Sequence, residues 1–299
     1  MKPSIGLIGI GNLGRPIAEN LLSAGYPLRV FSRTPERARP LVERGATQVA
    51  RAADAAEAGG ILVTVLPDDA AVEAVADDAM ADALGAGGLH LSLSTILPAT
   101  SAKLAAHHAA RGGAAYLAAP VFGRPEAAAA RKLWIAVSGP PDAKARAKPI
   151  FDAIGQGVFD FGEAPGAANV VKLMGNFLIN AAIEAMGEAS AVAESHGIPR
   201  ADFLSMLTQT LFSCPIYQNY AKKIISADFG QPGFTVTLTQ KDVRLMQETA
   251  RAAGASLPIA DVLKSRLEAA IVKGRGHLDA TAFVLESAEG AGLRWDAKG

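Results

Sequence analysis

The stretch Ile5-Gly6-Leu7-Ile8-Gly9-Ile10-Gly11-Asn12-Leu13-Gly14-Arg15-Pro16-Ile17-Ala18-Glu19-Asn20-Leu21-Leu22 decides the fold. An apolar run over 5–8 passes straight into a G-x-G-x-x-G turn, and a helical pattern follows until Ala24-Gly25 closes it. Each glycine has a separate task in that context. Gly9 makes the tight turn, Gly11 lets the backbone approach a pyrophosphate, and Gly14 lets helix and strand pack closely. Ile10, Asn12 and Leu13 complete the loop, and the helix start offers free N–H groups to an anion. A strand, this turn and a helix, with another strand at 28–31, predict a dinucleotide-binding βαβ unit.

The end of that second strand selects the cofactor. An NAD site usually places Asp or Glu there for the ribose 2′-hydroxyl, about 20 residues past the turn. Here the chain reads Val30-Phe31-Ser32-Arg33-Thr34, with no carboxylate before Glu36. A guanidinium at Arg33, flanked by the hydroxyls of Ser32 and Thr34, suits a 2′-phosphate, so the expectation is NADP(H). The competing reading is a solvated loop arginine.

Working outward, apolar runs at 61–66, 89–92, 114–117 and 133–137 alternate with helix-like segments, which predicts an α/β fold with a doubly wound, Rossmann-type parallel sheet. After residue 163 the pattern changes. From 166 to 195 there are helix formers only, until His196-Gly197-Ile198-Pro199 stops the run. A helix of thirty residues would be about 45 Å long, enough to leave the sheet domain and become the spine of an all-helical C-terminal domain. The expected division is 1–163 for the NADP-binding domain and 164–299 for a helical substrate and dimerisation domain. A break near Gly175 or Gly187 is the alternative, since glycine costs only about 1 kcal/mol inside a helix.

Composition narrows the function classes. The 299 residues are half hydrophobic, and 29 basic side chains balance 29 acidic ones. A neutral chain lacks the electrostatic footprint of a nucleic-acid or anionic-membrane binder. The single cysteine, Cys214, fits a reducing compartment and is expected as a small core residue. The histidines form no metal pattern. There is no signal-peptide layout and no run of 18 or so apolar residues, so the expected location is cytoplasmic.

Chemistry is expected at the start of the long helix, in Asn169-Val170-Val171-Lys172-Leu173-Met174-Gly175-Asn176. Lys172 and Asn176 are i and i+4 and share a face. A lysine in apolar surroundings beside a cofactor is partly desolvated, which favours the neutral amine and suits general acid–base work. Asn176 would orient the reacting oxygen or the ammonium. On spacing alone, such a pair is more often a solvated helix face.

The ordered set of Gly9/Gly11/Gly14, Ser32-Arg33-Thr34, Leu66-Pro67, Ser94-Thr95, Ala119-Pro120-Val121, Lys172/Asn176 and Lys241-Asp242 resembles the β-hydroxyacid dehydrogenases, the 3-hydroxyisobutyrate dehydrogenase-like proteins. The resemblance spans essentially the whole chain. It implies hydride transfer between a nicotinamide and a small β-hydroxyacid or the matching semialdehyde or keto acid, with Lys172 as the acid–base residue. It also implies that Leu66, Pro67, Ala71, Thr95, Phe234 and Lys241 contact the cofactor, Lys241 reaching back from the helical domain. Thr95 reads equally as a cap for the helix near Pro98, and Lys241 as a surface partner of Asp242.

The chain departs from that family at the substrate loop. Where most members resemble Asp-x-Pro-Val-Ser-Gly-Gly, residues 117–125 read Leu-Ala-Ala-Pro-Val-Phe-Gly-Arg-Pro. An alanine stands in place of the acid, Phe122 in place of the serine and Arg124 in place of the second glycine. Val121, Phe122, Gly123 and Arg124 are the expected substrate contacts: backbone N–H groups as anchors, Phe122 as an apolar wall, and Arg124 either clamping a carboxylate or pointing to solvent. An imine reductase-like enzyme and a catalytically silent cofactor-binding protein are the alternatives. Small residues Ala181, Ala182, Ala185 and Ala189 on the long helix allow close helix approach, and the family assembles through its helical domain, so a homodimer or homotetramer is expected.

Overall fold

The structure, a computed structural model, describes residues 2–296. It divides into two compact units, 1–172 and 173–299, the division falling inside the long helix rather than at the 163/164 junction.

The first unit is built on six parallel strands: β1 (Ile5–Ile8), β2 (Leu28–Phe31), β3 (Thr47–Gln48), β4 (Ile61–Thr64), β5 (Leu89–Ser92) and β6 (Ala115–Ala118). Their order is β3-β2-β1-β4-β5-β6. The central strands β1, β4 and β5 are buried at every position because helices cover both faces, which is why they read as unbroken apolar runs. Alternate residues feed two cores. Ile5, Leu7, Ile61, Val63, Leu89 and Leu91 pack on one face. Ile8 and Leu62 pack on the other.

The expected strand over 133–137 forms, but not in this sheet. It is β8 (Leu133–Val137), the centre of a second sheet, antiparallel to β7 (Val121–Phe122) and parallel to β9 (Gly155–Asp160). Periodicity identifies a strand but carries no information on its partner. Here the choice falls to the short reversal after Phe122, where Gly123 adopts φ +142° and a Cβ would come within 2.6 Å of the Leu133 side chain.

On the second face of the main sheet lies a buried polar chain. Thr64 Oγ1 and His90 Nε2 are 3.0 Å apart, and His90 Nδ1 and His108 Nε2 are 2.9 Å apart. Burial, and then the neighbouring His108, hold His90 well below the ordinary histidine range. Burial, and then the neighbouring His107, bring His108 from 6.5 down to about 4. A proton therefore binds the unfolded chain first as pH falls below 6.5, and folding loses stability between there and about 4. For His108 this amounts to roughly 3 kcal/mol. We expect His108→Gln to be less stable than the parent at neutral pH, because the His90 contact is lost, yet to show a shallower loss in urea titrations at falling pH. Parallel pH slopes for the two proteins would sink the assignment.

The long helix runs unbroken over Ala167–Ser195. Gly187 does not interrupt it because a Cβ there would sit 2.8 Å from that of Val284, so the glycine serves close packing. Asn169, Lys172 and Asn176 interrupt its apolar residues, yet as one helix the segment is long and apolar enough to cross a membrane by length and composition.

The second unit continues from this helix through Arg200–Gln209, Pro215–Ser226, Val236–Ala252, Pro258–Val272 and Leu285–Gly290. Its core holds Ile183, Leu204, Phe229, Val243, Leu263 and Phe283. Glu184, nearly buried, receives a hydrogen bond from Arg266 at 2.6 Å, which offsets the cost of burying a carboxylate. Cys214 is exposed rather than a core residue and stands at the N-cap position of the helix Pro215–Ser226, without a side-chain cap.

Candidate active site

The glycine turn joins the C-terminal end of β1 to the helix Gly14–Ser23. Gly9 has φ +106°, and a Cβ would fall 2.2 Å from the Val65 carbonyl oxygen. A Cβ on Gly14 would fall 1.9 Å from the Gly9 carbonyl oxygen. Packing within the protein thus demands both. Gly11 is different: its φ is ordinary and a Cβ there would meet nothing within 4 Å. The protein does not need glycine at 11, so the open space is what the residue preserves, and it lies before a helix start that has no side-chain cap. Exposed N–H groups beside empty space fit an anionic pyrophosphate. Ile10 is buried beneath the loop, Asn12 is exposed and Leu13 is the N-cap residue.

Ser32, Arg33 and Thr34 follow β2, next to β1 in the sheet. Ser32 Oγ accepts from the Thr34 backbone N–H at 3.2 Å, fixing the turn, and Arg33 is exposed on it. Leu66-Pro67 and Ser94-Thr95 stand beyond the ends of β4, which adjoins β1 on its other side, and of β5, the next strand along. The two loops are tied together. The Leu66 N–H donates to Ser94 Oγ at 2.8 Å, and Asp69 Oδ1 accepts from the Leu97 N–H at 2.8 Å and from Thr100 Oγ1 at 2.6 Å. Ala71 lies in the helix Asp69–Val75, its N–H capped by Asp68 at 2.8 Å. All these loops gather at the carboxyl ends of the strands, around the β1/β4 switch point where open α/β sheets bind ligands.

Lys172 is 8% exposed. Its Nζ lies 4.2 Å from the centroid of the Phe122 ring, so the candidate substrate-contacting aromatic and the candidate acid–base residue are in direct contact. The ring's negative face attracts and orients an ammonium. Val121 is buried, Gly123 is exposed and Arg124 is half-buried ahead of the helix Pro125–Ala129.

In the second unit, Asn176 stands one helical turn beyond Lys172 and donates its amide N–H to Asp242 Oδ2 at 2.8 Å. Asp242, 1% exposed, also pairs with Lys241 at 2.7 Å. Asp242 thereby fixes two candidate residues. Its carboxylate orients the Asn176 amide so that the carbonyl oxygen is left as an acceptor. Phe234, half-buried, accepts the Ala280 N–H at its carbonyl, 2.8 Å away.

Sequence reasoning did not identify Asp69 as the residue joining the two strand-end loops, Asp242 as the partner of Asn176, or the Phe122–Lys172 contact. The first two are ordinary acidic residues in helical segments, and the third joins positions far apart in sequence. Only the departure of Phe122 from the family loop carried any signal.

Residues 4–162 match the family model of the NAD binding domain of 6-phosphogluconate dehydrogenase. Residues 166–286 match the model described as NAD-binding of NADP-dependent 3-hydroxyisobutyrate dehydrogenase. The chain is 41% identical over 282 residues to the uncharacterized oxidoreductase YfjR of Bacillus subtilis, covering 94% of this chain and 98% of that one. It is 32% identical to 3-hydroxyisobutyrate dehydrogenase of Pseudomonas aeruginosa, covering 85% and 88%. Its structure is similar to that of a 3-hydroxyisobutyrate dehydrogenase from Salmonella typhimurium, with a TM-score of 0.85, 28% identity, and 95% and 100% of the two chains covered.

Proposed function

The chain belongs to the β-hydroxyacid dehydrogenase family and is a nicotinamide-dependent oxidoreductase acting on hydroxyacids; from that premise we propose that it uses NADP(H) and interconverts a carboxylated β-hydroxy compound with its semialdehyde or keto acid, Lys172 serving as general acid and base. The observation that carries this reading is the buried Lys172 Nζ held against Phe122 of the substrate loop.

Gly9, Gly11 and Gly14 would receive the pyrophosphate, Arg33 with Ser32 and Thr34 the 2′-phosphate, and Leu66, Pro67, Ala71 and Thr95 the rest of the cofactor, joined by Phe234 and Lys241 from the helical unit. When bound, the nicotinamide supplies or accepts the hydride at the substrate carbon. In the reducing direction Lys172 Nζ gives its proton to the carbonyl oxygen as the hydroxyl forms, and in the oxidising direction the neutral amine takes that proton back. Asn176, oriented by Asp242, accepts from the ammonium or positions the reacting oxygen. The backbone of Val121-Phe122-Gly123 anchors the substrate carboxylate, with the Arg124 guanidinium as a second contact.

The test is loss of NADPH absorbance with a panel of semialdehydes, keto acids and cyclic imines. Turnover of the carboxylated carbonyl compounds is expected; turnover of the imines alone would replace this reading with an imine reductase. Arg124→Ala should lower kcat/KM about tenfold or more for a carboxylated substrate, as expected for a charged hydrogen bond, and much less for its ester. Equal losses for acid and ester would remove Arg124 from the site.

A further inference from the structure

The second sheet carries an aromatic surface that protein packing does not account for. Trp134 on β8 is 46% exposed, Phe159 on β9 is 54% exposed and Phe161 just beyond it is 40% exposed. Large aromatics left in water are unfavourable, and a cluster of them marks a binding surface. They are not loosely placed. Phe122 and Trp134 are direct cross-strand partners. The Trp134 and Phe159 rings lie 5.9 Å apart. A Cβ on Gly157 would come within 2.4 Å of the indole, so the glycine makes room for the ring to lie against the strand. Together with Val171, these side chains line an open cavity of about 310 Å³.

That cavity adjoins the reacting site. Phe122 is common to both, lining the cavity while its ring holds Lys172 Nζ at 4.2 Å, and Val171 precedes Lys172 on the helix. A substrate whose carbonyl oxygen meets Lys172 therefore has an apolar chamber next to it. An apolar cavity of about 150 Å³ already suffices for a benzene ring. Polar groups are nearly absent from the lining, so the chamber offers nothing to a carboxylate or a sugar and favours an apolar arm.

We infer that this pocket selects the substrate: the enzyme takes β-hydroxyacids, or the matching carbonyl compounds, whose reacting carbon bears a ring-sized apolar arm, which lies on Phe122, Trp134, Phe159 and Phe161. This rests on the oxidoreductase reading above and names its substrate class. The reduction balances as before: hydride goes to the carbonyl carbon, a proton to its oxygen, and the reduced nicotinamide is oxidised. The arm takes no part in bond making; its burial positions the carbonyl.

Two measurements test the inference separately from the reading beneath it. The first compares kcat/KM with NADPH for 3-oxobutanoate and 3-oxo-3-phenylpropanoate, which differ only in methyl against phenyl. The phenyl compound should be favoured at least tenfold, and Trp134→Ala or Phe159→Ala should collapse that ratio. A ratio at or below one, or one unmoved by both substitutions, overturns the inference. The second needs no turnover. With Trp295→Phe leaving Trp134 as the only indole, and with NADPH present, 3-hydroxy-3-phenylpropanoate should quench the fluorescence saturably and 3-hydroxybutanoate should not. If 3-oxobutanoate is reduced but the phenyl ligand does not quench, the pocket assignment fails while the oxidoreductase reading stands. If the ligand quenches but neither compound is reduced, the dehydrogenase reading fails and the pocket stands. A change of oligomeric state on Trp134→Ala would make the face a contact between copies of the chain and likewise overturn the inference.

Discussion

Lys172→Ala is expected to lower turnover on the best substrate by roughly 10²- to 10⁴-fold while leaving NADPH affinity nearly unchanged. The magnitude follows from what the side chain supplies. A positioned proton donor lowers the barrier at the moment charge develops on the oxygen, and each factor of ten corresponds to about 1.36 kcal/mol. Lys172 Nζ is the proton-bearing group held against the Phe122 ring, and the pocket beyond that ring is lined by apolar and aromatic side chains. Because Lys172 is buried, the alanine variant also leaves a small void, so Lys172→Met, which keeps the volume of the stem, is the companion variant. Both should bind NADPH normally by fluorescence titration and both should be nearly inactive. Asn176→Ala should lose less, since it acts on the proton donor or the oxygen only by orientation. If purified Lys172→Met retained more than a tenth of the parent turnover, proton transfer would have to be assigned elsewhere.

The second large effect is expected at Arg33. NADPH should bind at least tenfold tighter than NADH, a difference of about 1.4 kcal/mol or more, and Arg33→Asp should reverse or erase the preference, a swing of up to about a hundredfold. The residue sits exposed on a turn fixed by Ser32, so its replacement disturbs no core, and the change in affinity reads the phosphate contact itself. A carboxylate in its place repels the 2′-phosphate and can accept from the 2′-hydroxyl instead. Dissociation constants for the two cofactors in parent and variant decide it; equal values in the parent would remove the NADP(H) assignment and leave a nicotinamide site indifferent to the 2′ position.

Most of the first unit was legible in the residue pattern. Strands β1, β4 and β5 are covered on both faces, so every position had to be apolar and the runs stood out. The glycine turn was legible because Gly9 and Gly14 meet steric demands no other residue satisfies. Edge strand β3 escaped because Thr47-Gln48 is only two exposed residues, too short for an alternation of apolar and polar positions, and is held extended by pairing with β2. The long helix was legible from the absence of breakers over 166–195, but its continuity through Gly187 depended on Val284 packing against a missing side chain.

What the sequence by itself determined is therefore the local chemistry: the strand–turn–helix cradle, the basic residue after β2, the helical run carrying Lys172 and Asn176, and the unusual Phe122. Periodicity, steric exclusion and spacing along one helix act over a few residues, and each leaves its mark in the order of amino acids. What the tertiary structure alone decided is who meets whom. It seated β8 beside β7 and β9 instead of in the main sheet, set Lys172 against Phe122, joined Asn176 to Asp242, and gathered Trp134, Phe159 and Phe161 into one apolar chamber. Those contacts join residues from a dozen to some tens of positions apart, and contacts at that range are chosen by the packing of whole elements, for which an isolated lysine, asparagine or tryptophan carries no local sign.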